Sequence, residues 1–189
     1  MISITIRLSL VLMLVCGVLY NLAVTGIAQV AMPHKADGSL IYNENGDVIG
    51  SELIGQSFAG PGLFHGRVSS IDYAANGSGT PNYAPSNPDM LARTQASIEA
   101  WKQNNPDVPI DQLPIDLITN SGSGLDPHIS VKAAEAQISR ISKETGVSKE
   151  ELESLVREHT RGRELGLFGE PVVNVLLLNK DLLAQTNAS

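Results

Sequence analysis

Leu8-Ser9-Leu10-Val11-Leu12-Met13-Leu14-Val15-Cys16-Gly17-Val18-Leu19-Tyr20-Asn21-Leu22-Ala23-Val24-Thr25-Gly26-Ile27-Ala28-Gln29-Val30-Ala31-Met32 decides the architecture of this chain. With His34 neutral, no charged side chain falls between Arg7 and Lys35. A helix rises about 1.5 Å per residue, so roughly 20 apolar residues cross a bilayer core. Residues 8–32 are long enough, rich in Leu and Val, and free of proline until Pro33. They read as one membrane-spanning helix, with residues 1–7 before it and one domain, 33–189, after it. The formal net charge is −7. Removing the single positive charge of Arg7 leaves −8 beyond the helix, and Arg7 with the α-amino group supplies the positive flank. The bias in Lys and Arg sets the N-terminus in the cytoplasm and residues 33–189 outside.

Two other readings of this stretch are available. A cleaved signal peptide would use Gly26 and Ala28 as the small residues before the cut, but the apolar run continues past that point. A lipoprotein anchored at Cys16 would need a small residue where Val15 stands. Within the span, Gly17, Asn21, Thr25 and Ala28 follow helical spacing and share a small, polar face, with Tyr20 beside it. Such a face permits close approach of a second helix and cross-helix hydrogen bonds. The alternative is a lone anchor whose Asn21 is satisfied by water or by its own backbone.

The rest of the chain is acidic, poor in aromatics and rich in Gly and Pro. Its charge argues against nucleic acid and anionic lipid as partners. Cys16 is the only cysteine, so no intramolecular disulfide forms. Residues 39–42 and 47–51 flank Asn43-Glu44-Asn45-Gly46 and predict a hairpin. Residues 56–88 read as a long loop. Asn87-Pro88 starts a helix to about Asn104, with Leu91, Ile98 and Trp101 inward. Residues 114–119 read as a strand. A helix capped by Ser130 runs to Thr145 and stops at Gly146, with Ala134, Ile138 and Ile141 inward and Gln137, Arg140 and Glu144 largely on its other side. Ser148 and Glu151 form a capping box for a helix that buries Leu152, Leu155 and Val156. His159 reads as a packed histidine, and Arg161 and Arg163 as solvated. Residues 172–178 read as a central strand, with a short helix from Lys180. Strands alternating with helices predict an α/β domain.

Ser121-Gly122-Ser123-Gly124-Leu125-Asp126-Pro127-His128-Ile129-Ser130 holds the densest chemistry. A Gly-rich loop before a helix can offer N–H groups to an anion, but the lysine of a phosphate loop is absent. Asp126 and His128 supply two metal ligands without an obvious third. Ser123, Asp126 and His128 hold the residue types of a hydrolytic triad, although so short a segment rarely aligns them. A purely structural loop accounts for the same glycines and for Asp126 bonding nearby amides. Arg67, among Phe64, Gly66 and Tyr73, reads either as a partner contact or as an arginine lying over its own loop.

These segments resemble one family over nearly the whole chain. Its carriers are Gly50-Ser51-Glu52-Leu53-Ile54-Gly55-Gln56 with Phe58, Phe64-His65-Gly66-Arg67 with Ser69 and Tyr73, and Ser86-Asn87-Pro88. They continue with Thr119-Asn120 and the loop just quoted, then Ala133, Ala134, Gln137 and Arg140, Leu165-Gly166, Gly169-Glu170-Pro171, Val173-Asn174-Val175-Leu176 and Leu178-Asn179. The chain is similar to the C subunit of the Kdp high-affinity potassium-transporting ATPase. Val68 and Val131 stand where that family usually has proline. The resemblance implies an accessory inner-membrane subunit with no catalytic residue and no metal. Its partners would be a potassium-channel-like subunit and an ATP-hydrolysing subunit. It also implies a catalytic-chaperone role that raises ATP affinity in the hydrolysing subunit. Nucleotide or partner contact would fall on Ser121, Gly122, Ser123, Gly124, Asp126, His128, Gln137 and Arg140. No cofactor is held by this chain alone, and ATP would enter through the partner. The predicted topology puts Gln137 outside, away from cytosolic ATP, because one span cannot put a domain on both sides. A membrane-tethered hydrolase using Ser123 and His128, or a small-anion module, is the competing expectation.

Overall fold

The computed structural model describes residues 2–43 and 45–187, and the backbone alone of Asn187. Met1, Glu44 of the expected turn, and the final two residues lie outside the described residues. The chain divides into two compact units, 1–51 and 52–189.

The first unit is built on helix α1, Ile2–Ala31, which is apolar and long enough to cross a membrane. At about 1.5 Å per residue its 30 residues extend roughly 45 Å. It starts before Leu8, at Ile2, and stops where Met32 leaves the helical region ahead of Pro33. Val15–Leu19 widens into a π-helical turn. Asn21 Nδ2 donates to Cys16 O at 3.2 Å and Gly17 O at 2.8 Å, which satisfies carbonyls at the widened turn. The hairpin follows: β1 (Leu40–Tyr42) pairs antiparallel with β2 (Val48–Ser51). Asn43 Oδ1 accepts from Asn45 N and Asp47 N, and Gly46 takes φ +84°, which closes the expected turn.

The second unit mixes helix and sheet. Helix α2, Pro88–Asn104, is capped by Asn87, whose side chain accepts from Asp89 N and Met90 N. Of its expected inward residues Trp101 is buried, Ile98 is half-buried and Leu91 is exposed. The core sheet orders β3 (His128–Ser130), β5 (Val172–Asn174) and β4 (Thr160–Arg161), with β5 central and both neighbours antiparallel to it. Short helices α3 (Val131–Glu135), α4 (Ile138–Thr145) and α5 (Lys149–Glu158) lie between β3 and β4 in the chain, and α6 (Val175–Asn187) follows β5. Ile129, Val173, Ile141, Leu152, Val156, Leu178, Leu182 and Phe64 form one buried cluster. The loop between α2 and β3 holds a 3-10 turn at Ile115–Leu117.

Several expected elements differ. Residues 114–119 are not a strand: Ile115–Leu117 coils tightly after Pro114, and Asp116 accepts from Ser130 N at 2.7 Å. The expected helix 130–145 is broken at Ala136-Gln137 into α3 and α4. The expected strand 172–178 ends at Asn174. From there Val175, Leu178, Asn179 and Leu182 are buried at i, i+3, i+4 and i+7, a helical stripe, and Asn174 Oδ1 accepts from Leu177 N in the first turn. Gln137 and Arg140 are buried rather than turned outward. The Ser148–Glu151 capping box and the Gly146 stop, at φ +77°, form as expected.

Candidate functional site

The predicted site residues gather in two groups with different partners. In the first, residues 58–66 form a strap across the core. Phe64 fills the interior with no exposed surface. Asn179 on α6 reads both backbone groups of Phe64: its Oδ1 accepts from Phe64 N and its Nδ2 donates to Phe64 O, each at 2.8 Å. Gln137 does the same for His65, accepting from His65 N at 2.8 Å and donating to His65 O at 3.1 Å. Gln137 Nε2 also donates to Ala133 O, and Gln137 Oε1 accepts from Arg140 Nη2 at 2.8 Å. The Arg140 guanidinium then donates to Pro61 O, to Leu63 O at 3.0 Å and to Asn105 Oδ1 at 3.1 Å. Two amides and one guanidinium thus satisfy the polar groups of a segment that has no strand partner, as buried backbone requires. Burial pulls the Arg140 pKa down to about 10, with Glu144 opposing, so the guanidinium remains charged at neutral pH. Burial and the Arg140 charge lower the His65 pKa, while its contact with Gly60 O opposes them.

The second group is the Gly-rich loop, gripped by residues 66–80. Arg67 Nη1 donates to Asp126 Oδ2 and Arg67 Nη2 to Asn120 O, both at 3.3 Å. Asp126 Oδ1 accepts from His128 N at 3.0 Å, and His128 Nδ1 lies 3.5 Å from it. Burial pushes the Asp126 carboxyl up, but the bonds from His128 and the Arg67 charge outweigh it and hold the pKa below its usual value. Tyr73 OH donates to Arg67 O, and its own pKa is raised by burial and by Asp126. Ser69 Oγ donates to Gly124 O at 2.7 Å, and Gly79 N donates to Ser123 O at 2.8 Å. Gly124 takes φ +72°, and a Cβ there would lie 2.6 Å from Ile71 Cγ1. Gly122 is exposed and Ser121 is buried, its N–H bonded to Val68 O. Ser123 Oγ accepts from Leu125 N at 3.0 Å, a turn contact.

The loop's chemistry therefore goes into holding residues 66–80. Arg67, Asp126 and His128 retain about a third of their side-chain surface each and form the polar rim. Among the described residues, no cluster of three His, Cys, Asp or Glu side chains could hold a metal. Sequence reasoning did not single out Arg93 and Asn105, and it met Asn120 and Asn179 only within the resemblance. Arg93 Nη2 donates to Asn120 Oδ1 at 2.6 Å and the guanidinium lies over the Tyr83 ring. A polar Asn179 directly after the apolar run 175–178 is the signal that could have found the strap. In the helix, Gly17, Tyr20, Asn21, Thr25 and Ala28 are not buried within this chain, and the Asn21 amide donates into its own backbone.

The K+-transporting ATPase c-chain family model matches residues 2–184, which takes in the apolar helix, the strap and the Gly-rich loop. The chain belongs to this family. The potassium-transporting ATPase KdpC subunit of Bacillus cereus (strain Q1) is 59% identical over 177 residues, covering 94% of this chain and 92% of the relative. KdpC subunits of Bacillus thuringiensis subsp. konkukian (strain 97-27) and Bacillus anthracis (strain CDC 684 / NRRL 3495) match with the same identity and coverage.

Proposed function

We propose that this chain is an accessory, non-catalytic subunit of an ATP-driven potassium uptake pump. One observation carries the reading: the family match extends over residues 2–184 and so takes in both the apolar helix and the lobe. The helix crosses the inner membrane with its N-terminus in the cytoplasm and lies beside a potassium-channel-like subunit. The lobe stands outside, over the potassium entrance. Its acidic surface raises the local cation concentration within a screening length of about 8 Å.

Catalysis belongs to the partner that hydrolyses ATP. This chain acts as a catalytic chaperone, raising the ATP affinity of that partner through contacts between subunits. The commitment of both ends of the Gln137 amide to His65 supports an indirect route, since a direct nucleotide contact at that side chain would first have to release the strap. The test is potassium-stimulated ATP hydrolysis by the purified complex, assembled with and without this chain. The expected result is that omission lowers the rate and raises the KM for ATP. Unchanged kinetics would overturn the reading. Topology is tested with Cys16→Ala and a cysteine at exposed Glu153: labelling by an impermeant maleimide on intact cells is expected, and labelling only after permeabilisation would reverse the orientation.

A further inference from the structure

Between β4 and β5 the chain folds into a compact tip whose apolar side chains point away from its own core. Leu165 is 89% exposed, Leu167 75% and Phe168 65%. The tip is built rather than slack. Glu164 N donates to Phe168 O at 2.8 Å and Phe168 N to Glu164 O at 3.0 Å, closing a two-way bridge. Gly166 and Gly169 supply positive φ, but Leu165 also takes φ +53°, a conformation that bulky side chains rarely adopt. Leu165 is therefore held in an unfavourable backbone state and almost fully in water, with no packing inside the chain to compensate. Exposed apolar side chains grouped on a rigid element mark an interaction surface.

The charge around the tip selects the kind of partner. Both guanidinium groups are engaged: Arg163 Nη2 donates to both Glu170 carboxylate oxygens at 2.9 Å, and Arg161 pairs with Glu164. The rim is neutral as a set, so it offers anionic headgroups no net attraction. Neither Trp nor Tyr, the residues of a membrane interface, occurs in residues 160–171. A neutral, charge-paired collar around an apolar centre has the anatomy of a protein–protein contact.

The geometry points to the Leu165–Phe168 tip as a plug that seats in an apolar recess on another subunit of the ATPase. This rests on the subunit reading above and specifies where the lobe engages. Phe168 and Leu167 are the anchors, and the Arg161–Glu164 and Arg163–Glu170 pairs form the rim that excludes water.

The test uses the full-length chain in the detergent-purified complex. Leu165→Gly relieves the positive-φ strain while removing the side chain, and Leu167→Ser with Phe168→Ser removes the anchors. Retention of this chain on the complex is read by gel filtration on dilution, with thermal melting of the separately purified full chain as the folding control. For both variants the expected dissociation constant rises at least about tenfold, the Leu165→Gly melting temperature does not fall, and Phe168→Leu restores retention. A second arm places a photoreactive group on Leu167→Cys in a Cys16→Ala background, and the expected adduct is with another subunit of the ATPase. Unchanged retention of both variants overturns the tip proposal, as does an adduct only with lipid or with a second copy. If the unmodified chain itself fails to co-elute, the subunit reading fails instead.

Discussion

Gln137 shows how a residue with the look of a binding group can be consumed by the fold. Its four hydrogen bonds hold residue 65 and tie it to Ala133 and Arg140. Gln137→Ala leaves His65 N–H and C=O without their side-chain partners at a half-buried site, so a loss of about 1–3 kcal/mol is expected in urea titration of the detergent-solubilised chain. Gly124→Ala meets two penalties, positive φ and a Cβ 2.6 Å from Ile71 Cγ1, and should cost about 1–3 kcal/mol in the same assay. His65 gives the lobe an acid sensitivity. Its folded pKa lies below the ordinary 6.5, so the unfolded chain takes the proton first as the pH drops. Stability contributed by neutral His65 is present above 6.5 and is lost as pH falls from there towards the folded pKa. The urea midpoint should therefore decrease between about pH 7.5 and about pH 5.5, and His65→Gln should flatten that slope. Little of this chemistry was legible beforehand. Asp126 and His128 stood out because they lie two positions apart in the sequence, whereas Gln137 meets His65 across 72 positions and Asn179 meets Phe64 across 115, separations at which no local pattern forms.

Elements with local signals were readable, and those shaped by tertiary burial were not. The Asn87 cap, the Ser148–Glu151 box and the Gly146 stop are decided within a few residues and appear as expected. Ser148→Ala removes an acceptor for Glu151 N and should destabilise the lobe by about 1 kcal/mol, measured by thermal melting. Residues 172–178 misled because a short apolar run fits a buried strand and a buried helix equally well. Only the Asn174 cap and the 175, 178, 179, 182 spacing separate them. In α1 the hydrophobic run announced a long apolar helix, but nothing in it announced the π turn at Val15–Leu19. Asn21 fits that turn by donating to Cys16 O and Gly17 O. The wide turn shifts Gly17 relative to Asn21, Thr25 and Ala28, which keep their helical spacing on the regular α-helix that follows. Each residue of an α-helix advances by about 100°, so a wider turn re-phases the half that follows it.

At the scale of the whole molecule, the lobe is closed by contacts between its beginning and its end. The sheet pairs residues 128–130 with 172–174, and the strap at 58–66 is fastened from 137, 140 and 179. Such distant pairings carry a loop-closure cost that must be met before they contribute. Truncation after Leu178 should therefore loosen the strap although it leaves the strap's own sequence intact, and hydrogen exchange at the amides of Phe64 and His65 should report it as lost protection. During synthesis the strap must wait, unfastened, until Asn179, 115 positions beyond Phe64, has been made. The lobe therefore closes only once its last helix has been made, and termination anywhere short of that clasp yields an open form.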